Sequence, residues 1–297
     1  MKLVVIAGAT ATGKSSLSVE LAQAIDAEVI NADSMQVYRG MDIGTAKVSV
    51  EERQGIPHRM LDVLDVTQDS TVAWDQVAAR EAIDDIHSRG KNVVMVGGTG
   101  LYIKAVIDEL NFPDTDPMVR HTLNKEAEDL GIDAMFARLE KLDPAAAIAI
   151  DRANLRRIIR ALEVIEITGK PFTANLPREE SIRYPDARQF GLVMDREQLS
   201  QRIDERVNKM FEQGLASEVQ KLVAVGLLQG RTAQRALGYS QVLSHLQGEV
   251  SLEAAIEETK RATRQYARRQ ETWFSRDTRI KWISTRQPRL ETILESL

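Results

Sequence analysis

Residues 3–7 (LVVIA) are an unbroken apolar run that stops at a glycine, the pattern of a strand buried on both faces. A helix is predicted over 14–25 and a second strand over 28–32 (EVINA). The alternation continues with a strand over 60–63, a helix over 73–88 and a strand over 92–96 (NVVMV), after which Gly97-Gly98-Thr99-Gly100 opens another helix. Strand and helix in alternation predict a parallel sheet with right-handed crossovers. The pattern breaks at Asn111-Phe112-Pro113-Asp114-Thr115-Asp116-Pro117, and from 118 to about 169 the chain reads as helix with no strand candidate. A strand over 189–194, long amphipathic helices, an arginine-rich helix over 256–276 and a last strand over 280–283 complete the chain.

The first loop gives this pattern a chemistry. Gly8-Ala9-Thr10-Ala11-Thr12-Gly13-Lys14-Ser15 satisfies G-x-x-x-x-G-K-[ST] between a predicted strand and a predicted helix. Backbone N–H groups of such a loop surround phosphate oxygens, Lys14 adds a charge, and the Ser15 hydroxyl can ligate magnesium. The fold class is therefore α/β, a P-loop NTPase-like parallel sheet flanked by helices. Residues 1–111 and 188–297 form the core domain, and 112–187 an all-helical insertion domain. The motif invites a nucleotide- or ATP-binding label, but a P-loop kinase places a magnesium-associated Asp at the end of a hydrophobic strand. Here the best such strand ends in Gly97-Gly98-Thr99. The nearest carboxylate is Asp33, after strand EVINA, where it is either a base or a turn cap. The carboxyl ends of parallel strands face one crevice, so Asp33, Thr99 and the loop are expected to share a site.

Composition narrows the rest. With 43% apolar and 28% charged residues among 297, the chain can bury a large core. It has no cysteine, and His58, His87, His121 and His245 are too far apart in sequence to suggest a metal cluster. Oxygen-ligated Mg2+ is the expected metal. The apolar run at 3–7 is too short for a signal or a membrane span, so no membrane contact and a cytoplasmic location are expected. The net charge of −5 argues against a nucleic-acid partner only on average. Arg152, Arg156, Arg157 and Arg160 cluster in the insertion, and Lys260, Arg261, Arg264, Arg268, Arg269, Arg276, Arg279 and Lys281 cluster near the end. Both clusters suit a diphosphate or a nucleic-acid backbone, or are solvated faces.

At these residues the chain resembles the bacterial-type tRNA dimethylallyltransferases, or tRNA isopentenyltransferases. The resemblance runs through Asp33-Ser34-Met35-Gln36-Val37-Tyr38, Ile43-Gly44-Thr45-Ala46-Lys47, Val96-Gly97-Gly98-Thr99-Gly100-Leu101-Tyr102 and Arg160-Ala161-Leu162-Glu163-Val164. It continues through Arg202-Ile203-Asp204-Glu205-Arg206-Val207, Ala236-Leu237-Gly238-Tyr239 and Thr263-Arg264-Gln265-Tyr266-Ala267-Arg268-Arg269-Gln270-Glu271-Thr272-Trp273-Phe274. It implies Mg2+-assisted transfer of a dimethylallyl group from dimethylallyl diphosphate to N6 of the adenosine 3′ of the anticodon, in tRNAs reading codons that begin with U. It also implies a flipped target base and an insertion that helps clamp the anticodon stem-loop of the tRNA. Asp33, Thr99 and Lys14 become the expected catalytic residues, and the loop from Gly8 to Ser15 the diphosphate site. Asp33, Ser34, Met35, Gln36, Thr99, Arg120, Arg156, Arg157, Ile158, Ile159 and Arg160 become the expected tRNA contacts. The enzyme is expected to be a monomer. Ala9, Arg59 and Arg156 depart from the family, which usually has Pro, His and commonly Gln there. The rival readings are a small-molecule P-loop kinase, an adenylate isopentenyltransferase and a phosphate-dependent RNA-binding switch.

Overall fold

The computed structural model of the chain describes residues 1–175 and 181–297. These divide into two compact units, Met1–Ile107 with Tyr184–Leu297, and Asp108–Arg183.

The first unit is built on six strands: β1 (Leu3–Gly8), β2 (Ala27–Asn31), β3 (His58–Arg59), β4 (Asn92–Gly97), β5 (Arg188–Val193) and β6 (Ile280–Ser284). They lie in the order β3-β2-β4-β1-β5-β6, every neighbouring pair parallel. Helices α1 (Lys14–Ala24), α2 (Val72–Ser88) and α3 (Gly100–Ile107) link the early strands. The apolar run of β1 divides by alternation. Leu3, Val5 and Ala7 pack with Ile83, Ile86 and Phe274 on one side of the sheet, and Val4 and Ile6 pack with Leu17 and Leu21 on the other. Each such side chain contributes about 1.5–3 kcal/mol when fully buried.

The strand expected at 60–63 is corrected by the structure. Edge pairing is confined to His58 and Arg59 against Val29 and Ile30. Met60 and Asp62 then take φ of 62° and 55°, left-handed values that end an extended segment.

The second unit contains α4 (Pro117–Leu142), α5 (Pro144–Ala149) and α6 (Leu155–Thr168), with a break in α4 at Gly131 (φ 80°, ψ 167°). Asp116 caps α4 by accepting from Met118 N at 2.7 Å, and Asp143 caps α5 by accepting from Ala146 N at 3.0 Å. Leu123, Met135, Leu139, Ile158 and Leu162 form its core.

The remaining helices belong to the first unit: α7 (Arg196–Glu212), α8 (Leu215–Ala224), α9 (Tyr239–Leu246), α10 (Leu252–Phe274) and α11 (Arg289–Leu294). Glu218 on α8 accepts from the N–H groups of Asp42, Ile43 and Gly44 at 3.2, 2.8 and 3.3 Å and from Tyr239 Oη at 2.6 Å. One buried-edge carboxylate thus shapes the loop after β2, and Lys47 closes it through Tyr38 O, Asp42 and Asp62 at 2.6–2.7 Å. No helix among the described residues is long and apolar enough to cross a membrane.

Asp75, on the first turns of α2, is 2% exposed, and burial pushes its carboxyl up to about 7. A carboxyl with a raised folded value costs nothing below its unfolded value near 3.8, destabilises progressively as pH rises from there to about 7, and costs a constant amount above. The full cost is about 4 kcal/mol. Asp75→Asn is expected to stabilise the protein by ~2 kcal/mol at pH 8, the rest being offset by the buried amide. Urea unfolding at pH 5 and pH 8 checks this: the variant's gain should be larger at pH 8, and an equal or smaller gain there contradicts the assignment.

Candidate functional site

β2, β4 and β1 are neighbours in the sheet, so the segments leaving their carboxyl ends meet. A cavity of about 1250 Å³ lies there, within the first unit, and Thr10, Lys14, Ser15, Asp33, Arg206 and Tyr266 are among its lining residues.

The phosphate loop enters α1 through Ala11 at φ 64° and Gly13 at φ 86°. A non-glycine residue held in that region costs of order 1–3 kcal/mol and turns successive N–H groups to one side. No side chain caps α1, which leaves its first N–H groups for a ligand. Thr12 Oγ1 and Lys14 Nζ donate to Ala9 O at 2.8 and 2.6 Å, bracing the loop from within. Burial, then the Arg206 charge, push the Lys14 ammonium down to about 7, with Asp33 opposing.

Asp33 is both cap and candidate base. Its Oδ1 accepts from Met35 N at 2.9 Å, the turn-cap role open at sequence level. Among the described residues Oδ2 accepts no hydrogen bond, while the Asp33 charge favours the protonated forms of Lys14, Arg206 and Tyr266. Thr99 Oγ1 accepts from Ser34 N at 3.4 Å, tying the β4 turn to the β2 turn. Gln36 donates to Thr45 O at 3.0 Å.

Four residues that sequence reading did not assign complete the site. Arg206 on α7 donates to Thr10 Oγ1 at 3.1 Å, and Arg202 donates to Ala11 O at 3.5 Å. Their i, i+4 spacing, which places both on one helical face, was the available signal. Burial pushes the Arg206 guanidinium below its ordinary value, with Asp33 opposing. Gln270 on α10 accepts from Thr10 N at 2.9 Å and donates to Gly98 O at 2.8 Å. Tyr266, one turn earlier, is pushed up to about 12 by burial and then by Asp33, with Thr99 and Gln270 side chains opposing.

The expected RNA contacts of the second unit separate into two kinds. Glu163 is fully buried and binds both Arg120 and Arg160. Burial pushes its carboxyl upward, but the two guanidinium groups outweigh this and hold it below the ordinary value. Arg160 also donates to Pro113 O at 2.6 Å. Arg120 and Arg160 are thus engaged in holding the unit together, and the side chains of Ile158 and Ile159, within the expected tRNA-binding stretch, are buried in its core. Arg156 and Arg157 are exposed and make no ion pair among the described residues.

On the basic helix several charges already have partners. Arg261 pairs with Glu258 at 2.6 Å, Lys260 with Glu257 at 2.7 Å, and Arg264 with Asp204 on α7. Arg268, Arg269 and Arg276 remain exposed. Of the family departures, Ala9 is buried and lends its carbonyl to the loop, and Arg59 pairs with Glu28 at 3.2 Å.

A family model described as IPP transferase matches residues 36–277. The chain is 53% identical over 288 residues to a tRNA dimethylallyltransferase of Paenarthrobacter aurescens (strain TC1), covering 97% of this chain and 92% of that one. It is 55% identical over 293 residues to a tRNA dimethylallyltransferase of Thermobifida fusca (strain YX), covering 97% and 91%. Among solved structures it is similar to the full-length tRNA isopentenylpyrophosphate transferase of Bacillus halodurans, with TM-score 0.73, 42% identity and coverage of 99% and 94%. It is also similar to a eukaryotic dimethylallyltransferase acting on tRNA, with TM-score 0.80, 32% identity and coverage of 96% and 74%. The phosphate loop lies outside the matched stretch and stands on its own geometry, whereas Asp33's neighbours Gln36 to Tyr38, the Gly97-Gly98-Thr99 turn, Arg206 and Gln270 fall inside or beside it. The chain belongs to the IPP transferase family.

Proposed function

We propose that the protein transfers a dimethylallyl group from dimethylallyl diphosphate to N6 of adenosine 37, 3′ of the anticodon, in tRNAs reading codons that begin with U. The observation that carries this reading is one cavity lined by both the phosphate loop after β1 and a carboxylate, Asp33, after β2, while β4 between them ends in Gly97-Gly98-Thr99 with no carboxylate.

The residues suit each part of the reaction. The C–O bond of the donor breaks and its electron pair leaves with the diphosphate, while the N6 lone pair forms the new C–N bond. The N6 proton passes to Asp33 Oδ2. An exocyclic adenine amine is a poor nucleophile because its lone pair is delocalised, so a placed base is worth about 10²- to 10⁴-fold. Charge gathering on the leaving diphosphate meets the α1 N–H groups, Lys14 and Arg206. Thr99 holds a donor oxygen.

Magnesium fits the donor set. Ser15 Oγ makes no hydrogen bond among the described residues and lines the cavity. No group of three or more His, Cys, Asp or Glu side chains suited to a metal occurs among those residues. That matches an ion held by one hydroxyl, water and substrate phosphates rather than by a protein cage. A magnesium ion held by Ser15 would supply charge neutralisation to the diphosphate.

Dimethylallyl diphosphate is expected to bind with net proton uptake at pH 8. Its terminal phosphate, with a second pKa of about 6, is already deprotonated there, so the proton belongs to Lys14, which carries about 7 in the free site. Affinity should weaken by up to about tenfold per pH unit above 7. Calorimetry in two buffers of different ionisation enthalpy reads the uptake; proton release would contradict the Lys14 assignment.

On tRNA, Arg157→Ala is expected to weaken binding and reduce the slope of log K against log salt by about 0.7–0.9, one phosphate contact's worth. An unchanged slope would remove Arg157 from the interface. The reaction itself is tested by release of inorganic diphosphate: it should require tRNA, fail with AMP, ADP or ATP as acceptor, and yield no ADP from ATP.

A further inference from the structure

Gln270 joins the two halves of the site. Its side-chain amide is 5% exposed and spans from the phosphate loop to the turn that carries Thr99, accepting from Thr10 N at 2.9 Å and donating to Gly98 O at 2.8 Å. The fit is close: a Cβ on Gly98 would lie 2.2 Å from Gln270 Nε2, so only glycine lets the amide reach that carbonyl. Tyr266, four residues earlier on α10, lines the same cavity as Gln270 and Asp33, and the Thr99 and Gln270 side chains act on its hydroxyl. Trp273, three residues later, packs where a Cβ on Gly100 would stand, 2.0 Å from Trp273 Cδ1. One face of α10 therefore contacts the phosphate loop and both sides of the Thr99 turn.

The pattern is more than packing. Thr10 is gripped twice, its N–H by Gln270 and its hydroxyl by Arg206, while the N–H groups entering α1 are left for a ligand. A buried amide that satisfies one donor and one acceptor on two separate loops fixes the distance between them. Resting on the proposed prenyl transfer, those loops are the ones that hold the leaving diphosphate and the acceptor side.

We propose that Gln270 and Tyr266 are positioning residues that set the separation between the diphosphate-holding loop and Thr99, so that the leaving oxygen and the Asp33-facing amine stand in line. Neither touches the reacting atoms. Their contribution belongs to the rate of the bound complex, where misplacement by about 1 Å can cost about 10²-fold.

The test is Gln270→Met, which keeps length and apolar volume and deletes both hydrogen bonds, beside Tyr266→Phe, which deletes one hydroxyl. Single-turnover transfer to tRNA at saturating dimethylallyl diphosphate should fall about 30- to 100-fold in Gln270→Met and about 3- to 10-fold in Tyr266→Phe. Donor Kd, from equilibrium binding, should stay within about threefold in both. A Gln270→Met rate unchanged at saturation, or a fall matched by the loss of donor affinity, overturns the proposal and leaves Gln270 a brace of the phosphate loop alone. Should Gln270→Met fail to fold, Tyr266→Phe decides by the same split between rate and affinity. Absence of transfer by the unaltered protein is a separate result, which would overturn the reaction and this inference together.

Discussion

Asp33→Asn is expected to lower the single-turnover rate of prenyl transfer by about 10²- to 10⁴-fold while tRNA affinity changes less than about threefold. The reason lies in the division of labour between the two carboxylate oxygens. Oδ1 holds Met35 N–H at 2.9 Å, and an asparagine oxygen can keep that bond, so the turn after β2 survives the substitution. Oδ2, which accepts no hydrogen bond among the described residues, becomes an amide that cannot accept the N6 proton. Asp33→Ala removes both functions, so a larger loss in tRNA affinity there than in Asp33→Asn measures the cap by itself. A rate within about fivefold of the unaltered protein in Asp33→Asn would leave Asp33 as a turn cap and nothing more.

Arg206→Ala should weaken dimethylallyl diphosphate binding by about 10- to 100-fold at pH 7, the worth of one charge-assisted contact of about 1.5–3 kcal/mol. A second consequence separates this from simple loss of structure. Arg206 helps depress Lys14, so removing it raises the Lys14 value above about 7. The ammonium then stays protonated to higher pH, and the decline in donor affinity should begin at a higher pH than in the unaltered protein. An affinity loss with an unshifted pH profile would place Arg206 outside the field of Lys14.

Much of the site was legible because its parts are local. The phosphate loop, Asp33 and the Gly97-Gly98-Thr99 turn each follow a short apolar run, and parallel strands bring their ends together without further information. The convergence of Arg206 and Gln270 on Thr10 was not legible, since it joins residues 196 and 260 positions apart. The same limit explains the second unit. Glu163 reads as an ordinary charged helix residue, yet the fold buries it and pairs it with Arg120 and Arg160, so two expected RNA contacts are already engaged by one buried carboxylate while staying partly exposed. Ile158 and Ile159 followed the arginines into the expected contact stretch, although their apolar spacing on α6 already placed them inward. In α10, counting charges from 260 onward missed Glu257 and Glu258, one turn before the basic run, and Asp204 on another helix. The edge strand failed for a different reason: left-handed backbone at Met60 and Asp62 has no glycine to announce it.

The most direct measurement of the central claim is mass spectrometry of nuclease fragments from a tRNA that reads a codon beginning with U, after incubation with the protein, dimethylallyl diphosphate and magnesium. The account predicts a gain of one dimethylallyl unit confined to adenosine 37. An unmodified adenosine 37, or the same gain at another position, would contradict it.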